Sequence, residues 1–176
     1  MIKEPKSKIE VIITGGTIDS YYEATKDTAV PLKESVVPGF IKSLKLDDVF
    51  FFSNVCMKDS RSINKNDLKN ILQIVSKTKS KKILITHGTY TMPDTARYLE
   101  VNLKRKDQVV VLTGSMIPLT GFSPSDAPFN LGYSIASLKT LAPGIYVCMN
   151  GQIFNPSEVI KRIGEGKFVS VFNKNK

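Results

Sequence analysis

Thr14-Gly15-Gly16-Thr17 is the stretch of this chain best equipped to do chemistry. Ile9, Val11, Ile12 and Ile13 lead into it as a run of β-formers, so the glycine pair reads as a buried strand breaking into a tight turn. Such a turn sets backbone N–H groups and two hydroxyls at the carboxyl end of the strand, where open α/β sheets place their ligands. Three readings compete for it. A dinucleotide fingerprint must open a helix, and Asp19-Ser20-Tyr21-Tyr22 does not look like a helix start. A phosphate loop needs a Gly-Lys-Ser/Thr ending, which this turn lacks. The third reading makes Thr17 a nucleophile held on a strained turn and activated by a base from elsewhere in the chain. Gly-Gly is also plain turn chemistry, so the decision rests on partners.

Candidate partners stand after other apolar runs: Asp59-Ser60-Arg61, Thr86-His87-Gly88-Thr89-Tyr90 and Thr113-Gly114-Ser115. The elements that must position them follow from periodicity. Val49 to Val55, Ile83 to Ile85, Val109 to Leu112 and Gly144 to Met149 read as further strands, the last turning at Asn150-Gly151 into a hairpin with Gln152 to Phe154. Asn64 as cap, Asp67 at the third helical position and Leu68, Ile71, Leu72 and Val75 on one face specify a helix. Thr91 reads as the cap of another, with Met92, Ala96, Leu99 and Leu103 on its apolar face, and Ser125-Asp126 as the cap signal of a third running through Phe129, Ile135 and Leu138. A shorter helix starts near Pro38. Asp19 to Pro31, polar and without period, reads as a lid, and Val159-Ile160-Lys161 and Phe168 to Phe172 close the chain. Strand, helix, strand, helix is the pattern of a mostly parallel sheet covered on both faces, a three-layer α/β/α sandwich of Rossmann-like or flavodoxin-like type. Hydroxyls and free N–H groups then gather along one edge of that sheet.

Composition narrows the rest. The 176 residues fit one domain, and 41% hydrophobic and 23% charged residues are ordinary for a globular chain. No apolar run reaches membrane-span length, and Met1 to Lys8 is polar and lacks a signal-peptide core, so a cytoplasmic location is expected. Cys56 and Cys148 lie in or beside strand-like runs and read as reduced core thiols. The net charge of +9 invites a nucleic-acid reading. Its placement argues against one, because the lysines are scattered and no aromatic-interleaved basic stripe is visible. His87 is the single histidine and, following a buried strand, reads as a structural hydrogen-bonder. Neither cysteine lies at a ligand-like spacing to it, so no metal cluster is expected. Asp126 is most simply a helix cap.

Taken together, T-G-G-T-I-D at Thr14 to Asp19, D-S-R at Asp59 to Arg61, T-H-G-T-Y-T-M at Thr86 to Met92, L-T-G-S-M at Leu112 to Met116, S-D-A-P-F-N-L-G at Ser125 to Gly132, the M-N-G-Q-I-F hairpin from Met149 and Val159-Ile160-Lys161 resemble the L-asparaginase family of amidohydrolases. The match spans nearly the whole chain, residues 1–176, and looks like the amino-terminal domain of those enzymes standing alone. The resemblance implies hydrolysis of L-asparagine or a related small carboxamide to the acid and ammonia, without metal or cofactor. It makes Thr17 the primary nucleophile, Thr89 the second catalytic threonine and Lys161 its basic partner. Tyr22 of the lid assists Thr17, Asp59 and Ser60 hold the carboxylate and amino end of the substrate, and Ser115 stands near the site. Backbone N–H groups around Gly88-Thr89 and Thr14 to Thr17 are the available donors to the oxyanion. A homodimer or higher homo-oligomer is expected. Tyr90 departs from the family pattern, which has an aspartate there: a phenol offers a hydrogen bond but no fixed negative charge. The change implies a weaker enzyme, an amide substrate without a free amino group, or a ligand-binding or interaction protein that has given up catalysis.

Overall fold

The computed structural model describes residues 6–172. Residues 1–5 of the polar start therefore lie outside the described range. β1 (Lys8–Gly15) is buried on both faces and pairs in parallel with β4 (Val49–Lys58) on one side and β5 (Lys82–Thr86) on the other. β6 (Val109–Thr113) and β7 (Gly144–Met149) continue the parallel sheet, and β8 (Gln152–Phe154) adds an antiparallel edge. The full order is β4-β1-β5-β6-β7-β8. Counting only the parallel strands in chain order, this is the 2-1-3-4-5 arrangement of flavodoxin-like sheets, whose crevice opens between the first and third strands.

Alternation along the strands divides the core into two layers. Ile12, Ile83, Ile85, Val110 and Leu112 pack on one side with Ile71 and Val75 of α2 (Lys65–Lys77) and Met92, Ala96 and Leu99 of α3 (Met92–Asn102). Val11, Ile13, Leu84 and Val111 pack on the other with Val37 and Ile41 of α1 (Val37–Ser43) and Leu131, Ile135 and Leu138 of α4 (Ala127–Thr140). The α2 start follows its sequence signature, since Asn64 accepts from the Asp67 N–H while the Asp67 carboxylate accepts from the Asn64 N–H. The Asn150-Gly151 turn carries positive φ at both residues, as a type I′ hairpin requires.

Four expectations are corrected. Asp19 to Pro31 is an antiparallel hairpin, β2 (Ser20–Glu23) and β3 (Thr28–Pro31), rather than an irregular lid. The buried Asp19 carboxylate anchors its base by accepting from Ser35 Oγ and the Val36 N–H, each at 2.9 Å. β4 runs three residues past Val55, to Lys58, because β1 still offers it a partner at Gly15. Thr91 makes no side-chain cap, because its hydroxyl donates to the Ser60 carbonyl at 2.9 Å. Asp126 does not cap α4 either: its carboxylate accepts from the Met116 and Ile117 N–H groups and from Asn130, fixing the loop after β6. The chain closes with a two-stranded antiparallel ribbon, β9 (Val159–Arg162) and β10 (Lys167–Ser170).

The strand ends are held together backbone to backbone. Gly16 has φ +87°, and a Cβ there would stand 2.4 Å from Gly88 Cα and N; a Cβ on Gly88 would stand 2.7 Å from Ser60 Cβ. Gly16→Ala meets both a left-handed conformation and rigid backbone, so it is expected to lower the unfolding free energy by at least ~2 kcal/mol in a urea titration. Gly39→Ala, on a helix with nothing near its Cβ position, is expected not to destabilise the fold.

Candidate active site

Thr17 begins a short 3-10 turn at the end of β1, half-buried, and its hydroxyl has no hydrogen-bond partner among the described residues. The other hydroxyl of that turn is not available: Thr14 Oγ1 donates to the Thr86 carbonyl at 2.9 Å and is fully buried. Thr17 opens instead into a cleft of about 210 Å³ together with Ser60, Thr89 and Lys161. Asp59, Arg61 and Tyr90 complete the rim, and Gly16 and Gly88 its floor. The volume lies below the common range for drug-sized ligands and suits a small metabolite.

Lys161 reaches this cleft from β9. Its Nζ donates to Thr89 Oγ1 at 2.6 Å across 72 residues of chain. Partial burial pushes the Lys161 pKa below the ordinary lysine value, the Arg61 charge pushes it further down, and Asp59 opposes both. The ribbon that carries the lysine is tied in place by buried Val159 and Phe168, by Arg97 Nη2 donating to the Val159 carbonyl at 2.6 Å, and by the Phe168 N–H donating to Asn150 Oδ1 at 3.0 Å.

Ser60 is buried in the turn after β4, where its Oγ accepts the Thr91 N–H at 3.4 Å and keeps its own proton to donate. Asp59 is occupied. Arg61 grips it as a fork, Nε to Oδ1 and Nη2 to Oδ2 at 3.0 Å each, and the Arg61 N–H adds a third bond at 2.8 Å. These bonds hold the Asp59 carboxyl below the usual range. The Arg61 guanidinium lies 5.7 Å from the centre of the Tyr90 ring, a cation–π distance. Arg61 is the rim residue that sequence reasoning passed over as a site candidate. The signal available was a fixed cation directly after Asp59-Ser60.

Two sequence candidates lie apart from this group. Tyr22 is half exposed on β2 and its phenol donates to Asp27 across the hairpin, so it is engaged away from Thr17. Ser115 is fully buried, does not line the cleft, and its Oγ has no partner among the described residues. His87 stands behind the cleft floor. Because the Gly88 carbonyl can only accept, Nδ1 carries the proton toward it at 2.8 Å and Nε2 accepts from Thr95 Oγ1 at 2.9 Å. Burial lowers the His87 pKa from 6.5 to about 4, so the ring is neutral and serves to orient the Gly88-Thr89 peptide. In a trans peptide the N–H points opposite to the carbonyl, so the Thr89 N–H is directed away from the histidine; it has no partner among the described residues.

Residues 8–166 match the family model described as Asparaginase, N-terminal. A glutaminase-asparaginase of Acinetobacter glutaminasificans is 31% identical over 169 residues, covering 90% of this chain and 50% of that protein. An L-asparaginase of Thermococcus kodakarensis is 29% identical over 181 residues, covering 93% and 51%. Among solved structures, the thermostable L-asparaginase of Thermococcus kodakarensis superposes with TM-score 0.78 at 30% identity, covering 93% of this chain and 51% of its own. A probable cytoplasmic L-asparaginase of Campylobacter jejuni gives TM-score 0.81 at 26% identity, covering 94% and 53%. The chain spans about half the length of the relatives it matches.

The buried neutral histidine makes stability pH-dependent. Since the folded pKa of about 4 lies below the unfolded 6.5, the contribution is complete above pH 6.5 and is lost as the pH falls from there toward 4. Between pH 7 and pH 5 this group is expected to remove roughly 2 kcal/mol of stability, and His87→Gln to flatten that part of the profile, as read by urea unfolding at each pH.

Proposed function

Because the chain belongs to the asparaginase family, matching the model of its amino-terminal domain over residues 8–166, we propose that it is an amidohydrolase that hydrolyses a small carboxamide to the acid and ammonia. The observation that carries the reading is the 2.6 Å contact between Lys161 and Thr89 in the cleft that also receives the unpartnered Thr17 hydroxyl. All the residues of the site fall within the asparaginase-type stretch 8–166.

The chemistry follows from these groups. A threonine hydroxyl is a weak nucleophile until its proton has somewhere to go. Lys161, once deprotonated, accepts the Thr89 proton and leaves the Thr89 oxygen able to receive another, so the pair relays protons beside the reacting carbon. Thr17 Oγ1 attacks the carboxamide carbon, the C–N bond breaks and ammonia departs with the proton given up by Thr17, leaving an acyl ester on Thr17. Water then attacks that ester, the relay takes its proton, and the acid leaves as Thr17 regains its hydrogen. The unpartnered Thr89 N–H is the donor available to the negatively charged oxygen in both steps.

The quaternary and cellular assignments are part of the same proposal. A second copy of the chain is expected, and the exposed apolar side chains of Ile160 and Ile163, which line one surface cavity and are 37% and 68% accessible, are available to it. A cytoplasmic location agrees with the description of the Campylobacter relative. Among the described residues, no helix is long and apolar enough to cross a membrane.

In an ammonia-release assay over a panel of small amides, Thr17→Ala is expected to reduce turnover at least ~10³-fold and Lys161→Met by about 10²–10⁴-fold. Full activity in Thr17→Ala would sink the proposal. Since Lys161 acts as the free amine, the rate is expected to rise with pH through a midpoint below the ordinary lysine value of 10.5. Arg61→Ala removes a charge that pushes this pKa down, so it is expected to move the rising limb to higher pH.

A further inference from the structure

The charges around the cleft bear on which amide it accepts. Among the described residues Asp59 is the one carboxylate lining it, and each Asp59 oxygen already accepts from the Arg61 fork at 3.0 Å. The remaining ionic groups are cations, Arg61 itself and Lys161, the latter donating to Thr89. Tyr90 contributes a phenol ring with the Arg61 guanidinium stacked over it. An ammonium group brought into this space finds no unpaired carboxylate and two like charges. A carboxylate finds the opposite. Two of the five guanidinium N–H groups of Arg61 serve the Asp59 side chain, leaving three, and the Ser60 hydroxyl still has its proton to give.

We infer that this cleft selects the ω-carboxamide of a dicarboxylic acid that carries no free α-amino group, succinamate being the simplest example, over L-asparagine. This rests on the amidohydrolase reading of the same site. Selection has two parts: Arg61 and Ser60 receive the distal carboxylate, and the Arg61–Asp59 lock excludes the α-ammonium by denying it a counter-charge. The Tyr90 ring keeps the guanidinium in that position by holding its face. Arg61 is therefore the specificity-determining residue. Like-charge repulsion from two cations lining so small a cleft supports a preference of at least about tenfold.

Succinate and L-aspartate differ only in the α-amino group and undergo no amide hydrolysis, so calorimetric titration of the full chain with each reads selectivity apart from turnover. Succinate is expected to bind at least tenfold more tightly than L-aspartate, and kcat/KM for succinamate to exceed that for L-asparagine by a similar factor. Arg61→Ala is expected to shrink the binding preference below threefold by losing affinity for succinate and freeing Asp59 for the ammonium. Because the Arg61 side chain is 67% accessible, the substitution does not threaten the core. Tyr90→Asp, which places a new carboxylate beside Arg61, is expected to move the preference the same way. Equal or tighter binding of L-aspartate by the unaltered chain, no binding of either acid, or a preference unchanged in Arg61→Ala would each overturn the inference. Preferential binding of succinate with no ammonia from either amide would uphold the selectivity and overturn the hydrolase reading instead.

Discussion

The structure depends on a backbone contact at the carboxyl edge of the sheet. Gly16 at the end of β1 lies directly against the Gly88 backbone at the end of β5, and Gly88 lies against the small Ser60 side chain at the end of β4, so the turns of three adjacent strands touch with nothing larger than a serine between them. A parallel sheet spaces neighbouring strands by about 4.8 Å, and side chains normally fill the gaps between the loops that leave them. Here those gaps are closed by main chain and one serine side chain, and Thr17, Ser60 and Thr89 consequently open into one small cleft although they lie far apart in sequence. The same contact explains the placement of His87. With the floor of the cleft made of peptide groups, their orientation must be fixed from behind, and a neutral imidazole between the Gly88 carbonyl and the Thr95 hydroxyl does this.

The electrostatics divide along the same lines. Groups buried beneath the floor are neutral or fully satisfied, whereas the ionic groups stand at the rim: Asp59, Arg61 and Lys161. Those three form a chain of influence. Arg61 satisfies Asp59, its charge also lowers the pKa of Lys161, and the lysine contacts Thr89. A change at Arg61 therefore acts on two properties together, the charge offered to a ligand and the proton affinity of the base.

Much of the fold was legible because its signals are local. The β1 run, the Asn64–Asp67 capping pair and the Asn150-Gly151 turn each declare themselves within a few residues, and the unbroken apolar runs of β5 and β6 mark both faces as buried. What was not legible depends on distant partners. Thr91 and Asp126 look like caps in sequence because cap chemistry is short and polar, yet each bonds a different loop once that loop is near. The hairpin at Ser20 to Pro31 lacks alternation because, being exposed on Tyr21 and Tyr22, it has no buried face to write one. For the cleft, the hydroxyl-bearing turns showed themselves as strand ends, while the placement of Lys161 came from family resemblance, since nothing near Val159 foretells a bond across 72 residues. Arg61 was masked by its neighbours: next to an aspartate, an arginine reads as an ordinary surface pair.

The base and the hydroxyl it serves belong to differently anchored parts of the chain. Thr17 and Thr89 sit on turns welded to the central sheet, but Lys161 rides on a two-stranded ribbon outside it. A two-stranded ribbon has little stability of its own, so its position is set by what it is tied to. The ties are the buried Val159 and Phe168 side chains, the Arg97 bond from α3 and the Asn150 bond from the β7–β8 turn. Each comes from a different element, and Asn150 is itself tied to α4 by its N–H donating to Asn130 Oδ1 at 3.3 Å. Packing on α3 and on the β7–β8 turn thus fixes the Lys161–Thr89 distance more than any interaction within the ribbon does. The cleft is a seam between a rigid edge and a docked strand, and its chemistry is only as well aligned as that docking.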